Sequence, residues 1–247
     1  MPQKPPLSRL LLHVFLLLTA LATLFLLCIG GLVTSTGSGL AVPDWPTSYG
    51  YNMFLFPISQ WFSDRGIFYE HSHRLVASGV GFMTIILCVW IWVVERARPW
   101  LCWLGTAALV LVIIQGVLGG LRVVWLRNEM GLIHACLAQG FFVLVCFLAL
   151  VTSPAWWRMW EKPPGTSSKC VGGFFKWSLA LTLLIYVQLM VGAGMRHAHA
   201  GLAIPDWPLA YGQVWPKTDP ATLKSLNEKR WEVRQMPTTA VQIHLQM

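Results

Sequence analysis

Long apolar stretches alternate with short polar ones along this chain. Five stretches, at roughly 10–33, 74–94, 100–121, 131–152 and 172–195, each hold about twenty mostly apolar residues. At about 1.5 Å rise per residue, that length matches a hydrocarbon core of about 30 Å. Backbone groups in lipid must find partners within their own segment, so all five are expected to be helices. The fold class is all-α: a polytopic helical membrane protein. Composition agrees. The 247 residues are 55% hydrophobic and 11% charged, where a soluble domain carries about 25% charge. The first apolar run, Leu10 to Ile29 after Lys4 and Arg9, is too long for a signal-peptide core and reads as a retained anchor.

Charge adds a direction. Lys4 and Arg9 precede the first helix, Arg96 and Arg98 separate the second and third, and Arg158, Lys162, Lys169 and Lys176 lie between the fourth and fifth. Lys and Arg in short flanks mark the cytoplasmic side. The N-terminus is therefore expected inside. Loops 34–72 and 196–247 are expected on the outer face of a cell (inner or plasma) membrane. The formal net charge of +8 is accounted for by this anchoring and by contact with anionic lipid. No basic face interleaved with aromatics points to nucleic acid.

A repeat lies over this pattern. Gly39-Leu40-Ala41-Val42-Pro43-Asp44-Trp45-Pro46 returns as Gly201-Leu202-Ala203-Ile204-Pro205-Asp206-Trp207-Pro208, and Tyr49-Gly50 returns as Tyr211-Gly212. At the same offset Gly30-Gly31 aligns with Gly192-Ala193. A related helix ending occurs at Gln115-Gly-Val-Leu-Gly119-Gly120-Leu-Arg122 and at Gln188-Leu-Met-Val-Gly192-Ala-Gly194-Met-Arg196. Small residues at such spacing let helices approach closely in lipid; they also let a backbone approach a flat ligand. The repeat implies two four-helix halves. The chain is expected to hold the first at 1–152, a cytoplasmic linker at 153–171 and an incomplete second half, one helix plus its outer loop, at 172–247. It would then be a partial version of an eight-helix protein.

The densest polar cluster is Glu70-His71-Ser72-His73-Arg74, where the outer loop enters the second helix. His134 sits early in the fourth helix. Both helices run inward from the outer face, so His73 and His134 lie at similar depth. Two imidazoles at one depth on facing helices suit bis-His ligation of a haem iron; polar residues at headgroup level are the plainer reading. His71 is one residue from His73 and about 100° round a helix, so both cannot face one iron. Glu70, three residues before His73, is either a proton acceptor beside a bound ring or a helix-start acid favoured by the macrodipole. Arg74, Arg122 and Arg196 stand at outer helix ends, as partners for haem propionates or as interfacial anchors. His13 reads as interfacial. His197 and His199 have alternate spacing that a metal could use. The six cysteines, Cys28, Cys88, Cys102, Cys136, Cys146 and Cys170, include no CxxC pair and give no disulfide framework.

Taken together, these motifs resemble the heme A synthases. The resemblance rests on Gly30-Gly31, Gly39 to Pro46, Glu70-x-x-His73-Arg74 and His134, on the second loop Gly201 to Pro208, and on Gln242-Ile243-His244 as the approach to a second His-Arg motif. It covers about residues 15–247. It implies oxidation of the C8 methyl of haem O, through hydroxylated intermediates, to the formyl of haem A for cytochrome oxidase. It implies His73 and His134 as ligands of the substrate haem and Glu70 as the catalytic carboxylate. A haem b cofactor is implied in the second half, whose helix-borne ligands have no counterpart here. Membrane lipid is an implied partner, with haem O synthase, oxidase assembly factors and a further copy of the chain as others. The cysteine pair that some members carry in the outer loops is absent. Two other readings are a haem-binding or carrier module without catalysis, and a transporter-like bundle built on the two-fold repeat.

Overall fold

The computed structural model describes residues 6–126, 128–160, 168–198, 200–201, 203–206, 208–228 and 238–247. Lys4, Lys162 and His199, singled out above, lie outside them, as do Leu202 and Trp207 of the second loop. The helices are α1 (Leu7–Ser35), α2 (Ile58–Trp61), α3 (Arg65–Val94), α4 (Pro99–Trp125), α5 (Asn128–Val151), α6 (Pro154–Trp160), α7 (Ser168–His197), α8 (Pro220–Glu228) and α9 (Ala240–Gln246). No strand occurs among the described residues. α1, α3, α4, α5 and α7 are long and apolar enough to cross a membrane, so the chain is a multi-pass, all-α membrane protein.

The chain divides into two compact units, residues 1–176 and 177–247, with the division inside α7. In the first unit α1 packs on α3 and α5, and α4 packs on the same two. The four helices therefore form a ring in which α1 faces α4 across one diagonal and α3 faces α5 across the other. Leu12, Leu16, Leu87, Ile91, Leu101 and Leu148 are fully buried in its core. That core draws on the start of α1, the second half of α3, the start of α4 and the end of α5. It fills only the end of the ring where the N-terminus lies. The other end contains glycines, histidines and a glutamine instead.

Two helix boundaries differ from the hydropathy pattern. α3 begins at Arg65, nine residues before the expected span. Asp64 caps it, its Oδ1 accepting from Gly66 N at 2.7 Å and Ile67 N at 3.3 Å. A cap of this kind fixes a helix start that hydropathy cannot see, because the first turns are polar. The Glu70–Arg74 cluster is thus on the helix, not at its threshold. α4 likewise continues to Trp125, four residues past the expected span, and is followed by Leu126, whose φ is 53°.

The second unit holds α7 from Trp177 onward, the second copy of the loop, α8 and α9. Thr239 opens α9 with a capping box, its hydroxyl accepting from Gln242 N while Gln242 Oε1 accepts from Thr239 N at 3.0 Å.

Candidate functional site

The repeated loop folds the same way twice. Asp44 Oδ1 accepts from Tyr49 N at 2.6 Å and its Oδ2 from Gly50 N at 2.8 Å. Asp206 does the same for Tyr211 N and Gly212 N, each at 2.7 Å. Tyr49 OH donates to Ala41 O, and Tyr211 OH to Ala203 O. Tyr49 and Gly50 have φ of 51° and 78°, and Tyr211 and Gly212 have 53° and 74°. Two consecutive left-handed residues make the tight turn that twisted strands accept, and glycine at the second makes it affordable. Burial works to raise the Asp44 carboxyl's pKa, but hydrogen bonds from Thr47, Gly50 and Tyr49 outweigh it and hold the group below its ordinary 3.8.

Glu70 and Arg74, one turn apart on α3, grip the first loop. Glu70 is 4% exposed. Its Oε2 accepts from Val42 N at 2.9 Å and its Oε1 from Arg74 Nη2 at 2.8 Å. Arg74 also donates to the carbonyls of Val42, Asp44 and Thr47 at 2.7–3.0 Å. Val42 is held from both sides. In the second unit Gln246 occupies the corresponding place, its Oε1 accepting from Ile204 N at 2.7 Å. A neutral amide can therefore serve as the latch, and the carboxylate of Glu70 adds a charge and a partner for Arg74.

His73 and His134 lie on the diagonal pair α3 and α5. Each ring rests against a glycine of a neighbouring helix. A methyl group added at Gly30 of α1 would stand 3.2 Å from His73 Nε2, and one at Gly119 of α4 would stand 3.4 Å from His134 Cε1. His, Gly, His and Gly thus alternate round the ring at one level. His134, Arg122 and Arg74 all act on His73 electrostatically. Oriented to satisfy its neighbours, the Gln115 amide donates to His134 Nδ1 at 2.8 Å. Two imidazoles with glycines beside them fit a flat tetrapyrrole: its own four nitrogens complete the iron's shell, and the missing side chains leave room for the ring. Among the described residues, no group of three or more His, Cys, Asp or Glu could hold a bare metal ion.

The loop closes over this level. The Trp45 indole lies so close to Gly120 that an added methyl would come within 2.2 Å of it, and the Arg122 guanidinium lies against Gly39 in the same way. His71 is a loop anchor: its Nδ1 is 3.2 Å from Ser48 Oγ, and its ring packs on Phe56 and Trp61. His13 meets Thr152 at the other end of the bundle. In the second unit His197 donates to Ala193 O at 2.9 Å, His244 stacks on Trp215, and Arg196 sits exposed in the last turn of α7. The five described cysteines are free thiols. Gln115 and Ser48 are the contributors that motif reading did not assign, whereas Gly30 was named with Gly31 in the repeat. For Gln115 the signal was present: an amide inside an apolar span, one turn before Gly119.

The family model described as cytochrome oxidase assembly protein matches residues 13–245. Among curated proteins the chain is similar to the heme A synthase of Geobacillus kaustophilus, 32% identical over 77% of this chain and 58% of that protein. It is similar to those of Alkalihalophilus pseudofirmus, 31% identical, and Halalkalibacterium halodurans, 32% identical, each over 83% of this chain and 66% of the relative. The chain therefore spans about three fifths to two thirds of these relatives' length. No solved structure matches it significantly.

Proposed function

Because the chain belongs to the cytochrome oxidase assembly protein family, and to the heme A synthases within it, we propose that it binds haem O between His73 and His134 and oxidises its C8 methyl to the formyl of haem A. The observation that supports this most directly is the alternation of two histidines and two glycines at one level of the ring. In net terms, methyl plus water gives formyl plus four protons and four electrons, which leave to an acceptor. The chain's residues bind and orient the substrate. His73 and His134 supply axial nitrogens, Gly30 and Gly119 leave the ring its space, and Trp45 with its loop keeps water away. Arg122, in the last turn of α4 and acting electrostatically on His73, is the propionate partner we assign. Arg74 is already occupied by three carbonyls and Glu70. Arg196 belongs to the second unit and receives no role. His197 and His244, the described histidines of that unit, are engaged locally, so no step is derived through haem b. We place the N-terminus in the cytoplasm and the site at the outer face of the cell membrane, on the distribution of Lys and Arg.

The test is haem extraction from protein purified from cells supplied with haem O. A low-spin spectrum is expected, and His73→Ala and His134→Ala should each abolish it. A low-spin spectrum that survives both changes would remove the ligand assignment.

One observation favours a second reading, a haem-binding or carrier module without catalysis. Both Glu70 oxygens are taken, one by Val42 N and one by Arg74, which describes a latch rather than a free base. Glu70→Gln separates the two. It keeps the latch, as Gln246 does in the second loop, but cannot take up a proton. Loss of haem A with haem O still bound supports catalysis by Glu70; unchanged haem A yield assigns Glu70 to the loop alone.

A further inference from the structure

A hollow of about 10 Å³ opens at the end of the ring where the N-terminus lies, between Arg9 and Leu10 of α1, Arg98 before α4, Thr152 after α5, and Pro154 and Trp157 of α6. Space of that size takes one oxygen atom and little more. Each of these residues stands near a helix end, which puts the hollow at headgroup depth rather than within the roughly 30 Å core. Its donors are two guanidinium groups. Arg98 gives Nε and Nη2 to Glu95, and its Nη1 reaches only the Val151 carbonyl, at 3.4 Å. Arg9 turns Nε toward Glu95 Oε1 at 3.2 Å, and its side chain is 21% exposed. Arg9 Nη1 and Nη2 make no hydrogen bond among the described residues. The group is nevertheless fixed, because it lies over the Trp157 ring at 4.2 Å from the centroid, with Arg98 at 5.3 Å from the same centroid.

Glu95 balances one of the two charges, so one positive charge is left over beside the hollow. A rigid fork of N–H groups matches the oxygens of a phosphate. An ammonium headgroup finds no partner here, because Glu95 is fully buried. The wall of the hollow continues into exposed apolar surface. Leu10 is 41% exposed, and Val14, Leu17, Leu18 and Leu21 follow it on one face of α1, all of them more exposed than Leu10. From Leu10 to Leu21 is about 16 Å at 1.5 Å per residue, most of the length of an acyl chain. We propose that the hollow is a binding site for an anionic phospholipid. Arg9 holds the phosphate through Nη1 and Nη2, one phosphate oxygen enters the hollow beside Arg98, and an acyl chain lies along the apolar strip of α1. The bound lipid then braces α1 against the start of α4 and against α6. This site is at the opposite end of the ring from His73 and His134 and is independent of the haem reading.

Native mass spectrometry of the detergent-purified protein tests it. In titrations with phosphatidylglycerol and phosphatidylcholine of equal chain length, one phosphatidylglycerol should be retained about tenfold more tightly than phosphatidylcholine. Equal retention of the two lipids overturns the site. Arg9→Gln should lose the preference. Arg96→Gln removes the same charge from an exposed arginine between α3 and α4 and should keep the preference to within about twofold, since an exposed charge is screened. Equal loss in both variants means diffuse attraction and overturns the site. Displacement of phosphatidylglycerol by equimolar inorganic phosphate also overturns it, because the hollow would then take a soluble anion without need of the apolar strip. If Arg9→Gln does not fold, Arg9→Lys replaces it, keeping the charge beside Glu95 and removing the fork; unchanged retention in that variant overturns the site. If neither folds, the preference of the unsubstituted protein decides.

Discussion

A single methyl group at Gly30 would stand 3.2 Å from His73 Nε2, closer than ordinary van der Waals contact, beside a ring we propose as a haem ligand. Alanine is also the better helix former, by about 0.5–1 kcal/mol relative to glycine. Gly30→Ala is therefore expected to lower haem content several-fold while leaving resistance to unfolding equal or higher. Parallel haem extraction and denaturant titration check it. Gly119→Ala, at 3.4 Å from His134 Cε1, meets only ordinary contact with the imidazole but takes up space assigned to the tetrapyrrole, so it should lower haem content less than Gly30→Ala does. Gly120 is a different case. At 2.2 Å from the Trp45 indole, an added methyl leaves no room for the ring, so Gly120→Ala should expel Trp45. Its fluorescence, read against a Trp45→Phe control, should shift to the red. The Asp44 carboxyl, held below 3.8 by hydrogen bonds that outweigh burial, gives the loop a pH dependence of definite sign. Its folded pKa lies below the unfolded one, so its contribution is complete above about pH 4 and fades as pH falls through the lower folded value. Acid proteolysis of the first loop should accelerate there in the unsubstituted protein and much less in Asp44→Asn.

At the scale of elements, α3 and the first loop are one device. Glu70 and Arg74 hold Val42 by its N–H and its carbonyl. Gln246 shows that the N–H bond needs only an acceptor. Glu70→Ala should thus expose the loop to protease at neutral pH, while Glu70→Gln should stay close to the unsubstituted rate; equal cleavage in both would show that the carboxylate's charge, not its acceptor, holds the loop. Part of this device was legible in sequence. The duplicated Pro-Asp-Trp-Pro and Tyr-Gly stretches predicted one loop made twice, and the two loops do share their Asp caps and left-handed turns. The spacing of Glu70, His73 and Arg74 marked a candidate cluster, and the structure places all three on α3. The start of α3 at Arg65 was not legible from hydropathy, because Asp64 caps turns that are themselves polar. Nor was the job of Gln115, since its partner His134 sits on another helix, a pairing that no motif spells out.

At the scale of the whole first unit, hydropathy gave the helices but not their order round the ring. Each span is apolar on most sides, so nothing in it says which neighbour it faces. Packing places α3 and α5 on a diagonal, and only that puts His73 and His134 across the bundle from one another. The end opposite the site is closed by a charge that the Lys and Arg pattern concealed. Glu95 is fully buried. Arg98 Nη2 and Arg9 Nε meet its Oε1 at 2.7 and 3.2 Å, and Arg98 Nε donates to its Oε2 at 2.8 Å. Both guanidinium groups lie over the Trp157 ring, at 4.2 and 5.3 Å from its centroid. One carboxylate therefore joins α1, the link after α3, the start of α4 and α6. Breaking a buried ion pair costs about 3–5 kcal/mol when a charge is left stranded. Here Arg9 and Arg98 remain 21% and 18% exposed and can recover water, so Glu95→Gln should cost about 2 kcal/mol, less than the fully buried case. Glu95 is about 33 Å along α3 from His73 at 1.5 Å per residue. The loss should appear as an earlier unfolding midpoint in detergent, with haem content and the low-spin spectrum unchanged. A Glu95→Gln protein that unfolds normally but loses its haem would mean that the two ends of the ring are coupled, and that the Glu95 ion cluster belongs to the site rather than to the scaffold.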